Sequence, residues 1–224
     1  MKLNVLGSGS EGNTYLVNCD GEILILDCGI SLKETKIALN FDLTNVVGCF
    51  VTHVHFDHSK YRKDYEGLGV PMLAPYDTDV ARASVYMGGY YIQAFKNPHG
   101  DIESYGALIR HKNGESILYL TDLSYCKYTF KGCKVNHFLV EVNYQEKYVD
   151  LDAPNFKHKI GGHCSLETCK GIIQANLTPS MKSVIAVHLG FGSTNPTEIV
   201  NEIKSIVPDS VFVDYARKGT KYEL

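Results

Sequence analysis

The chain lacks the marks of several protein classes. No apolar run approaches the length of a membrane span, and the apolar stretch after Met1 is too short for the core of a signal peptide. There is no C-x-x-C pair, and the cysteines, seven in number, are scattered. A disulfide framework is therefore not expected, and a reducing cytoplasm is. Basic charge is not in excess: 22 Lys and Arg against 25 Asp and Glu leave a net charge of -3. That removes the overall signature of a nucleic-acid binder, although a local basic rim would not register in the total. A glycine-rich stretch at 7–12 is not followed by G-K-[ST], so it is no Walker loop. No linker, repeat or low-complexity segment divides the chain. Its 224 residues, 44% of them hydrophobic, fit one domain over 1–224 with a substantial core.

What is present is a dense histidine cluster. Residues 52–59 read T-H-V-H-F-D-H-S and place His53, His55, Asp57 and His58 within six positions. The apolar run 46–51 just before them has strand character. Imidazoles and a carboxylate crowded at the mouth of a buried strand are costly unless a cation holds them. Later polar residues stand in matching places. His99 follows the strand-like run 90–95, Asp122 follows 116–120, and His188 follows 183–187. Four strand ends meeting on one rim would gather ligands for two metals. His53 and His55, two apart in an extended segment, point to one side and with His99 make a three-nitrogen set. Asp57 and His58 lie past the bend and with His188 make a second. Asp122 can serve both through separate oxygens. Nitrogen and oxygen donors without thiolate suit zinc first, with manganese or iron as alternatives. Asp27, at a strand end in L-D-C-G, is read as an acceptor that fixes a histidine tautomer. His111, His137 and His158 stand alone and are expected to be ordinary surface or half-buried residues.

The remaining pattern is hairpin-rich at the start and strand–helix toward the end. Asp20-Gly21 and Asn113-Gly114 signal hairpins. Ser31 with Glu34 signals a helix over 32–39, Ser165 one over 166–175, and Asn195-Pro196 one over 197–206. A helix over 77–86 is expected from its Asp cap and spacing. His99 is placed in a loop between Pro98 and Gly100, 144–162 is read as an irregular covering loop or insertion, and a charged tail closes the chain. Two stacked sheets with helices outside, an α/β (αββα) sandwich, fit this order.

H-V-H-F-D-H, with Asp27 upstream and His99, Asp122 and His188 downstream, resembles the metallo-β-lactamase fold superfamily of metallohydrolases. The resemblance implies the αββα sandwich and a two-metal site on one edge. It puts His53, His55 and His99 at one metal, Asp57, His58 and His188 at the other, and Asp122 between them. G-S-G-S-E-G-N near the start, V-E-V-N-Y at 140–144, G-G-H-C-S at 161–165 and A-V-H-L-G at 186–190 are similar to the narrower WalJ/YycJ-like group, described as exonuclease-like. Where that group carries a histidine and an aspartate after the asparagine, Tyr144 and Gln145 stand here. The expected activity is metal-dependent hydrolysis, in which a hydroxide shared by two cations attacks a phosphodiester in line. Asp57 belongs to that catalytic centre, and His163 is the candidate proton donor. The expected substrate is nucleic acid, in particular an end, or a nucleotide. No membrane partner is expected. Hydrolysis of a thioester, lactone or β-lactam by the same centre, or nucleotide sequestration without turnover, are the alternatives.

Overall fold

The computed structural model describes residues 1–78, 82–150, 152, 154 and 156–224, without the side chain of His158. In chain order the elements are β1 (Lys2–Gly7), β2 (Thr14–Cys19), β3 (Glu22–Leu26), α1 (Leu32–Ala38), β4 (Val46–Phe50), α2 (Phe56–Ser59), α3 (Arg62–Gly67), β5 (Met72–Leu73), β6 (Arg82–Met87), β7 (Tyr90–His99), β8 (Ile102–His111), β9 (Ser116–Leu120), β10 (His137–Glu141), α4 (Phe156–Gly162), α5 (Leu166–Ala175), β11 (Ser183–Val187), α6 (Pro196–Lys204), β12 (Phe212–Tyr215) and β13 (Lys221–Glu223). Among the described residues they form two mixed sheets. One runs β13-β1-β2-β3-β4-β5 and the other β12-β11-β10-β9-β8-β7-β6.

The layering follows from side-chain alternation along strands whose two faces are both covered. In β9, Ile117 and Tyr119 face the other sheet, where they meet Tyr15, Leu26 and Phe50. Leu118 and Leu120 of the same strand face outward, onto Leu166, Cys169 and Ile173 of α5 and Ile199 and Ile203 of α6. On the opposite side, Ile25 and Cys49 pack with Leu32 of α1 and Tyr65 of α3. The result is helix–sheet–sheet–helix, as the sequence pattern implied. All seven cysteines are free thiols. No helix among the described residues is long and apolar enough to cross a membrane.

Strand direction sets where the site lies. β9, β10 and β11 are mutually parallel, so their C-terminal ends share one edge. β7 and β9 each pair antiparallel with β8, so β7 runs the same way and ends on that edge too. β3 and β4 are parallel in the facing sheet. The residues that follow these strands are those of the histidine cluster and its partners.

Four expectations need correction. Arg82–Met87 is a strand rather than part of a helix: Ala83, Val85 and Met87 point inward with period two, and Gly88-Gly89 turns the chain into β7. Residues 79–81 of the expected helix lie outside the described residues. His99 is the last residue of β7, paired with Ile102 across a Gly100-Asp101 turn in which Gly100 has φ +54°. Pro98 did not end the strand because the described β6 ladder stops at Phe95, so its missing N–H costs no described ladder bond there. The tail is not free: β13 pairs with β1, burying Tyr222 between exposed Lys221 and Glu223. His111 and His137 are buried, not superficial. Nε2–H of His111 donates to Glu22 at 3.1 Å, and His137 lies 2.7 Å from Glu115 and 2.9 Å from Ser183. Both sit at strand ends under turns, where these partners replace water. The expectation for His158 falls outside the described side chains.

Candidate metal centre

The side chains singled out in the sequence come together at the common edge. His53, His55, His99 and Asp122 have ligand atoms all within 4.8 Å of one another, and so do Asp57, His58, Asp122 and His188. Asp122 belongs to both groups, and its two oxygens divide between them. Oδ2 lies 3.5 Å from His53 Nε2 and 3.6 Å from His99 Nε2, whereas Oδ1 lies 3.2 Å from His58 Nε2. His188 Nε2 and His58 Nε2 approach Asp57 Oδ2 at 3.3 and 3.4 Å.

His53, His58, His99 and His188 are each oriented through one ring nitrogen. Thr52 Oγ1 donates to Asp27 and so accepts from His53 Nδ1 at 2.9 Å, which leaves His53 Nε2 with its lone pair. His58 Nδ1–H donates to Asp27 Oδ2 at 2.8 Å, as the sequence reading of Asp27 anticipated. Tyr119 and the Thr52 N–H hold that carboxylate at 2.6 and 2.8 Å. His99 Nδ1–H donates to the Gly162 carbonyl at 2.5 Å, so the end of α4 orients it. His188 Nδ1–H donates to Glu141 at 2.8 Å. Such partners fix tautomer and ring direction in metal sites.

The lone pairs left over converge. His99 Nε2 and His55 Nδ1 are 3.2 Å apart, and the His53 ring lies 4.4 and 4.7 Å, centroid to centroid, from those of His58 and His55. His53 Nε2 is buried and has no hydrogen-bond partner, a costly condition that a cation relieves. Burial and the neighbouring His58 hold His53 well below the usual imidazole range, so it is neutral and fit to donate its lone pair. Burial opposes ionisation of Asp122, but the positive fields of His188 and His58 outweigh it and hold the carboxyl well below its usual range. Neutral His53 and His99 beside the ionised carboxylate of Asp122 supply part of a donor set for divalent metal.

Glu141 is a residue the sequence reading missed. It ends β10, is wholly buried, and accepts four hydrogen bonds. His163 and His188 donate through Nδ1 to Oε1 at 2.7 and 2.8 Å, and the N–H groups of Leu123 and Cys164 donate to Oε2 at 3.2 and 3.1 Å. Burial pushes this carboxyl up, but His163 and His188 pull it below its usual range. The available signal was one acid ending the otherwise apolar run F-L-V-E, the kind of residue a core strand does not keep unpaired. His163 lies just past α4, stacked on His188 with ring centroids 5.4 Å apart.

The stretch 144–162 is ordered into a wall of the site where it is described. Tyr144 bridges to Ser165, and α4 supplies Lys159 to a cleft of about 420 Å³ shared with His55, Asp57, Asp122 and His163. Gln145 ties down the loop after His188: its N–H donates to Ser193 O at 2.9 Å, and its Oε1 accepts from Asn195 N at 2.6 Å. The early glycine-rich stretch braces the other side. Gly7, Gly9 and Gly12 have G-x-G-x-x-G spacing, but they join β1 to β2 with no helix following, which is not a dinucleotide-binding context. Asn13 N donates to the Asp57 carbonyl at 2.7 Å, and His188 N to Ser8 Oγ at 2.9 Å.

Known proteins share this architecture. The family described as Anti-Pycsar protein Apyc1 matches residues 1–60. The exodeoxyribonuclease YycJ of Bacillus anthracis is 28% identical, the match covering 84% of this chain and 82% of that protein. The metallo-β-lactamase fold protein YhfI of Bacillus subtilis superposes with a TM-score of 0.70 at 16% identity, covering 99% of this chain and 98% of that one. A diphosphatase of the PhnP family gives a TM-score of 0.68 at 17% identity, covering 99% and 96%. The chain has the metallo-β-lactamase fold, and the resemblance read from its motifs is borne out.

Proposed function

We propose that the protein is a metal-dependent phosphodiesterase whose substrate is a nucleic acid or a nucleotide. The observation that carries this is the division of the Asp122 oxygens between two donor sets, beside a buried His53 Nε2 with no hydrogen-bond partner. His53, His55 and His99 would hold one ion, Asp57, His58 and His188 the other, and Asp122 both. The donors are nitrogen and oxygen without sulfur, which favours zinc, with manganese or iron as alternatives. Two divalent ions bound by these residues would make water a nucleophile near neutral pH and would offset the charge of a phosphoryl group during displacement.

The chain's own residues complete the centre. Asp27 and Glu141 accept from Nδ1 of His58 and His188, which turns Nε2 of each ring toward Asp57. Glu141 also accepts from His163 Nδ1, so the proton His163 can give to a leaving oxygen sits on Nε2. Lys159 adds positive charge to the cleft wall, where a phosphate would lie. The exodeoxyribonuclease relative and the PhnP-family diphosphatase both take phosphate esters or anhydrides by their names, which supports a phosphoryl rather than a carbonyl centre.

The test is an assay of metal-loaded protein with bis-p-nitrophenyl phosphate, oligonucleotides and a thioester. Phosphodiester cleavage is expected, abolished in Asp57→Ala and unchanged in Asp209→Ala, an exposed position in a turn remote in sequence from the ligands. Cleavage of the thioester alone contradicts the proposal, and tight nucleotide binding without turnover points to sequestration.

A further inference from the structure

The loop after His188 carries an aromatic ring that the phosphoryl chemistry leaves unused. Phe191 is 100% exposed, yet the loop holding it is firmly built. Gly190 N and Ser193 Oγ both donate to the Asn143 carbonyl, at 3.1 and 3.0 Å, and Thr194 Oγ1 donates to the Gly190 carbonyl at 2.9 Å. Lys159 Nζ donates to Ser193 Oγ at 2.8 Å. A Cβ on Gly190 would fall 2.2 Å from Asn143 O, so the position before the ring is fixed as glycine; Gly192 after it has φ +71°.

An ordered loop thus holds a phenyl ring in water at the mouth of the reaction cleft. The ring also lines two neighbouring concavities, a groove of about 930 Å³ along the glycine-rich stretch and a smaller pocket beside Tyr148. Within its loop it stands between Gly190 and Gly192, followed by the polar Ser193 and Thr194, and it is the one aromatic face that the loop offers. A cation, Lys159, lines the cleft and the smaller pocket together with it. A flat π-face next to a phosphate-sized cleft with a lysine on its lip matches a nucleotide: base on the ring, phosphate in the cleft. Base–aromatic stacking is tolerant of base identity, because every base offers a π-face.

We propose that Phe191 is a stacking platform for the nucleobase adjoining the scissile phosphate, with Lys159 on the phosphate side of the same lip. This rests on the phosphodiesterase reading, which puts the reacting phosphate at Asp122. The platform makes the base, and not its identity, the recognised feature.

The test separates the platform from the reaction. Isothermal titration calorimetry of the metal-loaded protein compares adenosine 5′-monophosphate with ribose 5-phosphate. The nucleotide is expected to bind about 5- to 100-fold tighter. Phe191→Ala should remove that preference and leave ribose 5-phosphate binding unchanged, and Phe191→Trp should restore it. In parallel, kcat/KM is measured on thymidine 5′-(p-nitrophenyl phosphate) and on methyl p-nitrophenyl phosphate, with the loss in Phe191→Ala confined to the first. No nucleotide preference in the wild type, a preference intact in Phe191→Ala, or an equal loss for both ligands overturns the platform. A preference that depends on Phe191 without hydrolysis of either diester leaves the platform standing and refutes the phosphodiesterase reading.

Discussion

Among single residues, Glu141 bears on two histidines at once. One buried oxygen receives both Nδ1–H groups, so removing its charge disturbs a metal-ligand candidate and the proposed proton donor together. Glu141→Gln is expected to lower phosphodiesterase kcat by about 10- to 100-fold with KM little changed; steady-state kinetics at wild-type rate would contradict this role. The residue was not legible in the sequence because a lone acid at a strand end carries no spacing signature. His53, His55, Asp57 and His58 were legible because the donors crowd into one short segment. His137 supplies a pH test away from the site. Burial pulls its pKa below the ordinary 6.5, against the pull of Glu115. The unfolded chain then binds this proton at higher pH than the native one, so its contribution to stability is present above about pH 6.5 and is lost as pH falls below that. NMR titration of the His137 ring should give a midpoint below 6.5, and a midpoint at or above it contradicts the assignment.

At the level of elements, the turns that follow the strands do the positioning. Asp27, Asp122 and His188 all stand at strand ends with left-handed backbone, φ 58°, 50° and 51°. Each such conformation in a non-glycine residue costs on the order of 1–3 kcal/mol, held by the partners described above. Gly29 allows the closest approach: an added Cβ would lie 1.8 Å from the Asp57 carbonyl oxygen. Gly29→Ala is therefore expected to destabilise the chain by about 2 kcal/mol or more and to displace Asp57. Urea unfolding together with activity measures both, and a variant with unchanged midpoint and rate would contradict this packing. Elements with explicit caps were readable, as in α1, α5 and α6, where Ser31, Ser165 and Asn195 accept from the third residue on. β6 was not, since its alternation is carried by small or half-buried residues and an Asp ahead of it imitated a cap. β13 was hidden because an edge strand of alternating charge looks like a solvated tail.

For the whole molecule, the two-sheet architecture is what turns scattered residues into one centre. Parallel and doubly antiparallel pairing puts the ends of β3, β4, β7, β9, β10 and β11 on a single edge. This was readable because polar residues recurred where apolar runs stopped. The wall formed by α4 was not, because a short helix with few apolar anchors gives no periodic signal. The central claim is that the edge holds two divalent ions through a shared Asp122. Metal content of the purified chain, by inductively coupled plasma mass spectrometry, tests it most directly. The expected result is about two zinc, manganese or iron ions per chain, falling sharply in Asp122→Ala. Less than about one ion per chain in wild-type protein kept away from chelators would contradict it.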